Sequence, residues 1–556
     1  MTSPISAAVA ATTPSSPSFR TFDVTVVCTT DDEQASYWTS RLSSGILSSK
    51  KSSSDGPFPL VLAVSEDWSA GGAGNGLGTL YAFEKACKVA SEKHGVDVAA
   101  EMAAGRASVG LYHTAGKGTR LAPLPGGENN NKPGVKLPPT HEVEGMGHTP
   151  ITILEAVIRQ TSIYSSTRAG RLSVFWGDQV FIPTAPFNLR PTHHADIMCT
   201  LGSMPDAATW ASEGLDKYGV IAVSADGSGD SAQVEKVDHA TAVKMLAGLG
   251  SVGRVGPSLG SFSVSAGLLS ALRAEYRSEL DAKSGKFDTD PHFWMPMTLP
   301  EADYVGLMGQ KGVEATEAKA HHERMVAMKD AFLASEACSG GTGKRPLGAS
   351  ETSPGGLGKR LFGAVDVGAG ALWWDYGQVK LYCTNNTKLL EDSEEADHLR
   401  SFLGVTSRQM NSSLGSTSVC ASSCVFSSTT KSGSIASSVV SAVNAQKIEA
   451  TGAIIVNCTA KSIVAAEGSV VYNIVENSEG GITAAEGDVL VGVMDEEGNQ
   501  TVMKSHVSID GGKAWKTAVA GNELTFEDVY KKNGGANIGD IEKVRNEKIA
   551  VVAASF

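Results

Sequence analysis

The chain has 556 residues, of which 41% are hydrophobic, and its formal net charge is −13 at pH 7. This length predicts two or more domains with apolar cores of ordinary size. The acidic balance argues against a general nucleic-acid or anionic-membrane binder, because either would need a basic face. The sequence contains no run of 18 or more apolar residues, so no transmembrane helix is expected.

The N-terminal segment and the cysteines bear on where the protein works. Residues 1–21 are rich in Ala, Ser, Thr and Pro and contain a single basic residue, Arg20, so we expect them to be disordered. The eight cysteines are scattered and form no CxxC pair, which favours reduced thiols and a cytoplasmic protein. Targeting to an organelle by residues 1–20 stays open.

Residues 22–390 alternate short apolar runs with stretches of helical periodicity. The predicted strands are residues 25–28, 60–64, 109–112 and 172–176, and the predicted helices include 79–94 and 151–164. This alternation is typical of an α/β domain built on a mostly parallel sheet. Ligands of such sheets bind beyond the carboxyl ends of the strands.

A glycine-rich loop follows the predicted strand 109–112. Residues 115–120 read Ala-Gly-Lys-Gly-Thr-Arg, and Lys132-Pro133 comes about a dozen residues later. Consecutive amide groups in such a turn can hold phosphate oxygens, while Arg120 and Lys132 supply positive charge. The loop has neither the Gly-Lys-Ser/Thr of a Walker motif nor the third glycine of a dinucleotide fingerprint, which disfavours a kinase or a dehydrogenase.

The order Gly-x-Gly-Thr-Arg and then Lys-Pro resembles the signature of the sugar-1-phosphate nucleotidyltransferases. The resemblance implies a Rossmann-like catalytic domain over residues 22–390, which joins an NTP to a sugar 1-phosphate and releases an NDP-sugar and pyrophosphate. It gives catalytic roles to Arg120 and Lys132. It assigns nucleotide binding to the loop residues Ala115, Gly116, Lys117, Gly118 and Thr119.

Two aspartates are candidate ligands for magnesium. Asp178 directly follows the predicted strand 172–176, where a carboxylate would project into the same crevice as the loop. Asp375, in Trp-Trp-Asp-Tyr-Gly, resembles the family's W-x-D-x-G segment. Either aspartate alone is more often a cap or turn residue, but their order behind the loop and Lys-Pro favours the metal site.

A second glycine-rich loop, residues 71–80, follows the predicted strand 60–64 and enters a helix. Its glycines Gly74, Gly76 and Gly78 are candidates for a second wall of the nucleotide pocket, because bare backbone can approach a base or a phosphate closely. The ending Gly-Thr-Leu loosely resembles the fucose-1-phosphate guanylyltransferase and fucokinase branch. A flexible connection between strand and helix is the alternative.

Two charged segments are candidates for binding the sugar phosphate. Glu235-Lys236 follows a Tyr-Gly-Val strand and a turn, which resembles the family's sugar-phosphate segment, although the family usually has proline where Val237 stands. Asp288 and Asp290 lie in an aromatic cluster whose carboxylates could accept from sugar hydroxyls. A solvated pair at Glu235 and a helix start at 287–294 are the alternatives.

The C-terminal third has a different composition. Residues 335–362 are expected to form a flexible insertion and 391–410 a linker. Over 411–496 small apolar residues recur near every sixth place, as at Cys458, Val464, Val470 and Ile482, which indicates a left-handed β-helix-like domain. Residues 497–556 are expected to form a small β-rich cap. The sequence leaves open a homo-oligomer formed through the C-terminal domain, without chemistry of its own.

Two other functions are compatible with parts of this pattern. A non-catalytic, nucleotide-sugar-sensing paralogue would keep the sheet but lose the metal carboxylates or Lys-Pro, and this chain keeps both. A β-helix acyltransferase would need a histidine at a coil edge, and no histidine occurs from Asn411 to Lys504.

Taken together, the patterns and the resemblance predict an α/β nucleotidyltransferase domain followed by a β-helix-like, all-β domain.

Overall fold

The computed structural model describes residues 3–12, 19–48, 57–69, 71–225, 231–249, 252–339 and 360–556. The larger, N-terminal part of the chain is an α/β unit centred on a mixed sheet. Its strands are β1 (Val24–Thr29), β2 (Leu60–Ser65), β3 (Val109–His113), β4 (Lys136–Val143), β5 (Gly147–Thr152), β6 (Arg171–Trp176), β7 (Gln179–Ile182), β8 (Ala195–Cys199), β9 (Gly219–Ser224), β10 (Ala232–Glu235), β11 (Val252–Ser265), β12 (Phe362–Asp366) and β13 (Leu372–Asp375).

The central sheet has the order β10-β9-β11-β6-β3-β1-β2, with β8 and β12 joined through β11. Strands β2, β1, β3 and β6 are mutually parallel, whereas β11 runs antiparallel to its neighbours β6, β8 and β9. All six residues of β1 are buried, as a central parallel strand covered on both faces requires. The four strands predicted from the sequence are β1, β2, β3 and β6, and the mostly parallel α/β fold is confirmed.

Helices cover both faces of this sheet. The helices up to residue 403 are α1 (Pro4–Thr12), α2 (Asp32–Ser44), α3 (Gly74–His94), α4 (Val98–Ala103), α5 (Leu124–Gly127), α6 (Ile153–Thr161), α7 (Ala207–Ser212), α8 (His239–Leu246), α9 (Ala266–Glu275), α10 (Arg277–Ala282), α11 (Met295–Thr298), α12 (Glu301–Gln310), α13 (Ala315–Ser339), α14 (Val379–Thr387) and α15 (Glu394–Leu403). Alternate residues of β1 separate the two cores: Val27 packs with α2 and α6, and Val26 packs with α3 and α9.

The disorder expected for residues 1–21 is corrected over residues 4–12, whereas most of the insertion expected over 335–362 is outside the described residues. Residues 4–12 of the N-terminal segment form α1, and Ala8 and Val9 are buried in the core that also contains α6 and α15. Small apolar side chains on one side of a short helix give it a surface to pack, which the composition of residues 1–21 did not reveal. At the ends of the predicted insertion, α13 continues to Ser339 and β12 begins at Phe362. Residues 340–359 between them lie outside the described residues.

Parallel strands dominate the region after α15. Its strands are β14 (Gln409–Met410), β15 (Ser418–Val419), β16 (Cys424–Phe426), β17 (Thr429–Ala436), β18 (Val439–Ser441), β19 (Asn444–Thr451), β20 (Ile454–Val456), β21 (Thr459–Ala465), β22 (Val470–Tyr472), β23 (Val475–Glu476), β24 (Ile482–Ala484), β25 (Asp488–Met494) and β26 (Gln500–His506). Up to β22 the chain alternates between two sheets, and β25 and β26 complete one of them as an antiparallel pair.

The repeat in this region is longer than the six residues expected. Val425 pairs with Val440, Val440 with Ile455, and Ile455 with Val471, so successive strands of one sheet are 15 or 16 residues apart. The side chain of Val464, one of the predicted inward positions, is exposed. Because each turn of chain visits two sheets, the inward residues alternate within short strands, and a single fixed six-residue spacing does not describe them.

The C-terminal cap contains more helix than strand, which corrects the expected β-rich cap over 497–556. After β26 the chain forms α16 (Phe526–Lys532) and α17 (Ile538–Ala553). Both helices have side-chain N-caps: Thr525 accepts from the amide of Asp528, and Asn537 accepts from that of Asp540. Among the described helices of the whole chain, none is both long and apolar enough to cross a membrane.

Candidate functional site

The parallel strands end together at one edge of the sheet. Cys28 of β1 pairs with His113 of β3, and His113 pairs with Trp176 of β6, so the residues that follow these strands emerge side by side. The Ala115–Arg120 segment follows β3, and Asp178 lies just after β6. The fold therefore brings the predicted phosphate loop and the first predicted carboxylate to the same crevice.

The phosphate loop has a backbone that needs glycine. Gly116 and Gly118 have φ angles of +134° and +62°, which disfavour other residues. Ala115, Gly116, Lys117 and Arg120 are exposed, and a short 3₁₀ turn begins at Thr119. A Cβ atom at Gly118 would lie 3.0 Å from Cγ and Cδ of Lys132, so the loop and Lys132 are in direct contact.

Lys132 joins the loop to the first aspartate. Its Nζ atom donates to Oδ2 of Asp178 at 2.5 Å, and the two side chains are only 20% and 18% exposed. A partly buried pair of this kind is less screened by salt than a surface pair. The ammonium group is thereby kept at the crevice beside Gly118.

Asp375 lies next to Asp178. It ends β13, which pairs with β7 so that Asp375 is opposite Gln179, and the amide of Tyr376 donates to the backbone carbonyl of Asp178 at 3.3 Å. A Cβ atom at Gly377 would lie 3.0 Å from Oδ1 of Asp375 and 3.3 Å from Oδ2 of Asp178, so both carboxylates reach the same small space.

The electrostatics of Asp375 reflect this arrangement. Burial raises the pKa of Asp375, and the negative charge of Asp178 raises it further. The amide of Gly377, which donates to Oδ1 at 2.7 Å, acts in the opposite direction, as do the charges of Lys132 and Arg120. Arg120 and Lys132 are therefore close enough to Asp375 for their charges to act on its pKa, as the charge of Asp178 does.

These residues fit a magnesium ion that takes most of its ligands from elsewhere. In the part of the chain that the structure describes, no three His, Cys, Asp or Glu side chains gather in a way that could hold a metal ion. Magnesium, however, is usually held by one or two carboxylates together with water and substrate phosphates. Asp178 and Asp375 around Gly377 supply that number of oxygen donors and bring two negative charges together.

Two residues at this edge were missed by the sequence reasoning. The ring of His113 lies 5.4 Å from that of Trp176, and its Nε2 atom is 2.8 Å from the hydroxyl of Thr79. Burial lowers the pKa of His113 to about 4, so it is neutral near pH 7. Glu66 follows β2 and accepts from the amide of Ala73 at 2.8 Å, and burial raises its pKa. Neither lies in a recognisable motif; only their positions at strand ends could have identified them.

The second glycine-rich loop packs against another part of the protein. The amides of Gly76 and Leu77 donate to the carbonyl of Phe287 at 2.9 and 3.2 Å, and a Cβ atom at Gly74 would lie 2.6 Å from that oxygen. A Cβ atom at Gly78 would face Glu66 at 3.2 Å. Close backbone packing accounts for these glycines, and their assignment to nucleotide binding stays a prediction.

The predicted sugar-phosphate residues Glu235, Lys236 and Asp290 lie close together. Oε1 of Glu235 is 2.8 Å from Nζ of Lys236, and its Oε2 accepts from Lys311 at 3.0 Å. The side chain of Glu235 is 10% exposed, whereas that of Lys236 is 59% exposed, so only the glutamate of the pair is shielded from solvent. Burial raises the pKa of Asp290 to about 6, helped by the charge of Glu235 and opposed by Gln233 and both lysines. Lys311 was missed, because it lies far away in sequence.

Asp288 has a local partner. Its Oδ1 atom accepts from the amide of Asn75 at 2.9 Å, while Oδ1 of Asn75 accepts from the amide of Thr289 at 2.6 Å. This reciprocal pair fastens the second glycine-rich loop to the 287–289 segment. A sugar-binding role for Asp288 stays a prediction, and so does the role of Asp290.

Strand β11 lies between the two groups of charged residues. Gly260 of β11 packs on the indole of Trp176, since a Cβ atom there would be 2.3 Å from Nε1. Two residues earlier, Ser258 is 3.5 Å from the Cβ position of Gly219, which pairs with Glu235. Strand β11 therefore contacts both Trp176, which precedes the Asp178 site, and Gly219, which pairs with Glu235.

C-terminal residues contact the phosphate loop directly. A Cβ atom at Gly511 would lie 2.6 Å from the carbonyl oxygen of Thr119, and one at Gly512 would lie 3.3 Å from Cγ of Arg120. The Nζ atom of Lys117 is 5.4 Å from the ring centroid of Tyr530. Residues 510–513 read Asp-Gly-Gly-Lys, and the sequence does not indicate that they pack against residues so distant along the chain.

No protein-family model matches the chain, and no curated protein matches it significantly. The resemblance to the sugar-1-phosphate nucleotidyltransferases therefore rests on the motifs quoted above. The arrangement that a function must explain is a glycine loop, two cations and two carboxylates at one crevice, with a second charged cluster along the same sheet.

Proposed function

We propose that the protein is a magnesium-dependent sugar-1-phosphate nucleotidyltransferase, whose substrates are an NTP and a sugar 1-phosphate. The observation that carries the proposal is the convergence of Gly118, Lys132, Asp178 and Asp375. Lys132 contacts Gly118 and pairs with Asp178, and Asp178 shares the space around Gly377 with Asp375. These residues come from three separate segments, and packing of a core does not require their charges to meet.

The reaction needs little covalent participation from the protein. An oxygen of the sugar phosphate attacks the α-phosphorus of the NTP, a new P–O bond forms, and the bond to the bridging oxygen of the β-phosphate breaks, which releases pyrophosphate. Positioning and stabilisation of charge account for most of the catalysis in such transfers. The loop residues 115–119 and the guanidinium of Arg120 would hold the leaving phosphates.

The remaining charged groups have complementary roles. Lys132 would neutralise charge on the α-phosphate, and Lys236 would orient the sugar phosphate. Magnesium, held by Asp178 and Asp375, would draw negative charge from the phosphate oxygens. Asp290 and Glu235 lie beside Lys236 and offer acceptors for sugar hydroxyls.

We also infer the finer features of the fold and its setting. Strands that alternate between two parallel sheets at a 15- or 16-residue repeat support a β-helix-like domain for residues 411–496, and we propose that it is left-handed. The N-terminal α/β unit would then be the nucleotidyltransferase domain. The seven cysteines whose side chains are described are free thiols, which supports a cytoplasmic location. Self-association through the parallel strands remains a proposal.

A pyrophosphate-release assay tests the function. The full-length protein is incubated with each common NTP, a panel of sugar 1-phosphates and magnesium, beside Asp178→Asn as the matched inactive variant. We expect pyrophosphate only with both substrates present and at least about 100-fold less with the variant, a loss of about 2.7 kcal/mol. Binding of an NDP-sugar without turnover of any pair would instead support the non-catalytic sensing paralogue.

A further inference from the structure

The segment between Arg120 and Lys132 is buried beneath the C-terminal region. Glu128, at its centre, is 2% exposed, and both its carboxylate oxygens accept from Lys136 at 2.7 Å. The hydroxyl of Tyr472 also donates to Glu128, and Nδ2 of Asn473 donates to it at 2.7 Å. A buried carboxylate is therefore satisfied by one residue of the catalytic domain and two residues of the parallel strands.

Tyr472 contacts the chain on both sides of Lys132. Besides donating to Glu128, its hydroxyl accepts from the backbone amide of Lys136 at 2.7 Å. Glu128 and Lys136 lie four residues before and four residues after Lys132. The hydroxyl of Tyr472 and the Glu128–Lys136 ion pair thus close a short loop of chain that carries Lys132 at its midpoint.

The backbone of the same segment is held at several further points. The carbonyl of Gly127 accepts from Asn473 at 3.0 Å and from Arg545 at 3.1 Å. The carbonyl of Gly126 accepts from Asn533 at 3.0 Å. These donors come from β22, α16 and α17, or from residues next to them, and together they fix the segment around the short helix α5.

Two asparagines of the segment adopt a left-handed conformation. Asn129 and Asn130 have φ angles of +53° and +70°. Their side-chain amides donate to the carbonyls of Met494 and Tyr530, at 3.0 and 2.7 Å. Asparagine adopts this conformation more readily than other residues except glycine, and here these two hydrogen bonds hold the side chains in place. The surroundings here belong to the C-terminal region.

We infer that the C-terminal region is part of the catalytic unit, with Tyr472 and Asn473 as positioning residues for Lys132. The inference rests on the proposed function, since it assigns Lys132 to the phosphate site. It goes beyond the expectation that the C-terminal domain forms a homo-oligomer without chemistry of its own. The packing of Gly511 and Gly512 on Thr119 and Arg120 extends the same dependence to the other end of the segment.

The variant Tyr472→Phe tests this inference, because it deletes only the hydroxyl. Tyr164→Phe is the matched control: Tyr164 is equally buried, and its hydroxyl has no hydrogen-bond partner among the described residues. In the full-length protein we expect kcat of Tyr472→Phe to fall about 10- to 100-fold, with KM for the sugar 1-phosphate changed less than about twofold. Tyr164→Phe should keep both constants.

Calorimetric titration with magnesium and inorganic pyrophosphate separates positioning from simple destabilisation. A misplaced site binds pyrophosphate more weakly at an unchanged stoichiometry, whereas partial unfolding lowers the stoichiometry and leaves the affinity of the folded molecules intact. We expect Tyr472→Phe to weaken binding about tenfold with one site per chain. If Tyr472→Phe does not fold, Asn473→Gly serves instead, because glycine can adopt the backbone conformation of that position. It should weaken binding in the same way.

The outcomes distinguish this inference from the function itself. A wild-type protein that binds pyrophosphate but transfers no nucleotide would overturn the proposed function, and the affinities would still decide whether Tyr472 positions the site. A folded Tyr472→Phe with wild-type kcat and wild-type affinity would overturn the inference. So would an equal loss in Tyr164→Phe.

Discussion

Replacing Gly118 with alanine should damage catalysis more than stability. Gly118 has a φ of +62°, and a left-handed alanine costs about 1–2 kcal/mol. The new Cβ would lie 3.0 Å from Cγ and Cδ of Lys132, whereas carbon atoms prefer a separation of about 3.5–4.0 Å. The side chain of Lys132 must therefore move by about half an ångström or more. This movement would disturb its contact with Asp178, in which Nζ and Oδ2 are 2.5 Å apart.

A displacement of this size has a large effect on rate, because a misplacement of about 1 Å can cost about 100-fold. We expect Gly118→Ala to lower kcat for pyrophosphate release about 10- to 100-fold and the free energy of unfolding by about 1–2 kcal/mol. Gly95→Ala is the control, since Gly95 has a φ of +66° and a Cβ there would meet nothing within 4 Å. It should lose similar stability and retain its kcat. Equal kcat values for the two variants would refute the reasoning.

Three further predictions address the charges of the site. Asp178→Asn and Asp375→Asn should each lower magnesium-dependent kcat about 100-fold or more while melting near the wild-type temperature, because the amide keeps the shape but loses the charge; near-normal turnover would remove that aspartate from the site. Arg120→Ala and Lys132→Ala should each lose about 2–4 kcal/mol of transition-state stabilisation, measured from kcat/KM for the NTP, and unchanged kinetics in both would disprove the phosphate loop. Burial raises the pKa of Asp290 to about 6, so the folded protein holds this proton where the unfolded chain releases it, and stability falls as the pH rises from about 4 to 6. Denaturant titrations of Asp290→Asn should show a gain over wild type that grows through this range to at most about 3 kcal/mol; a gain independent of pH would contradict the assignment.

The strands and the positions of Asp178 and Asp375 could be predicted because their signals are local. β1, β3 and β6 are apolar runs, and the residues that follow parallel strands meet at one edge whatever the loops do. Asp178 needed only its place after β6. Asp375 needed its motif, since its partner strand β7 lies far away in sequence.

The contacts that shape the site could not be predicted because they join distant segments. Nothing near Glu128 in the sequence indicates that Tyr472 donates to it, and nothing near Glu235 indicates Lys311. Composition also failed where packing overrides it, as in α1, whose Ala8 and Val9 are buried although the surrounding residues are typical of a disordered segment. The six-residue period failed because the inward positions of two alternating sheets do not follow one spacing.

The fate of the γ-phosphate tests the central claim most directly. The full-length protein is incubated with γ-labelled NTP, a sugar 1-phosphate and magnesium, and the labelled products are separated at early times. Nucleotidyl transfer predicts that the label leaves in pyrophosphate, in amounts equal to the NDP-sugar formed, and that Asp178→Asn abolishes both. Label in inorganic phosphate or on the sugar would mean cleavage at the γ-phosphorus and would contradict the account.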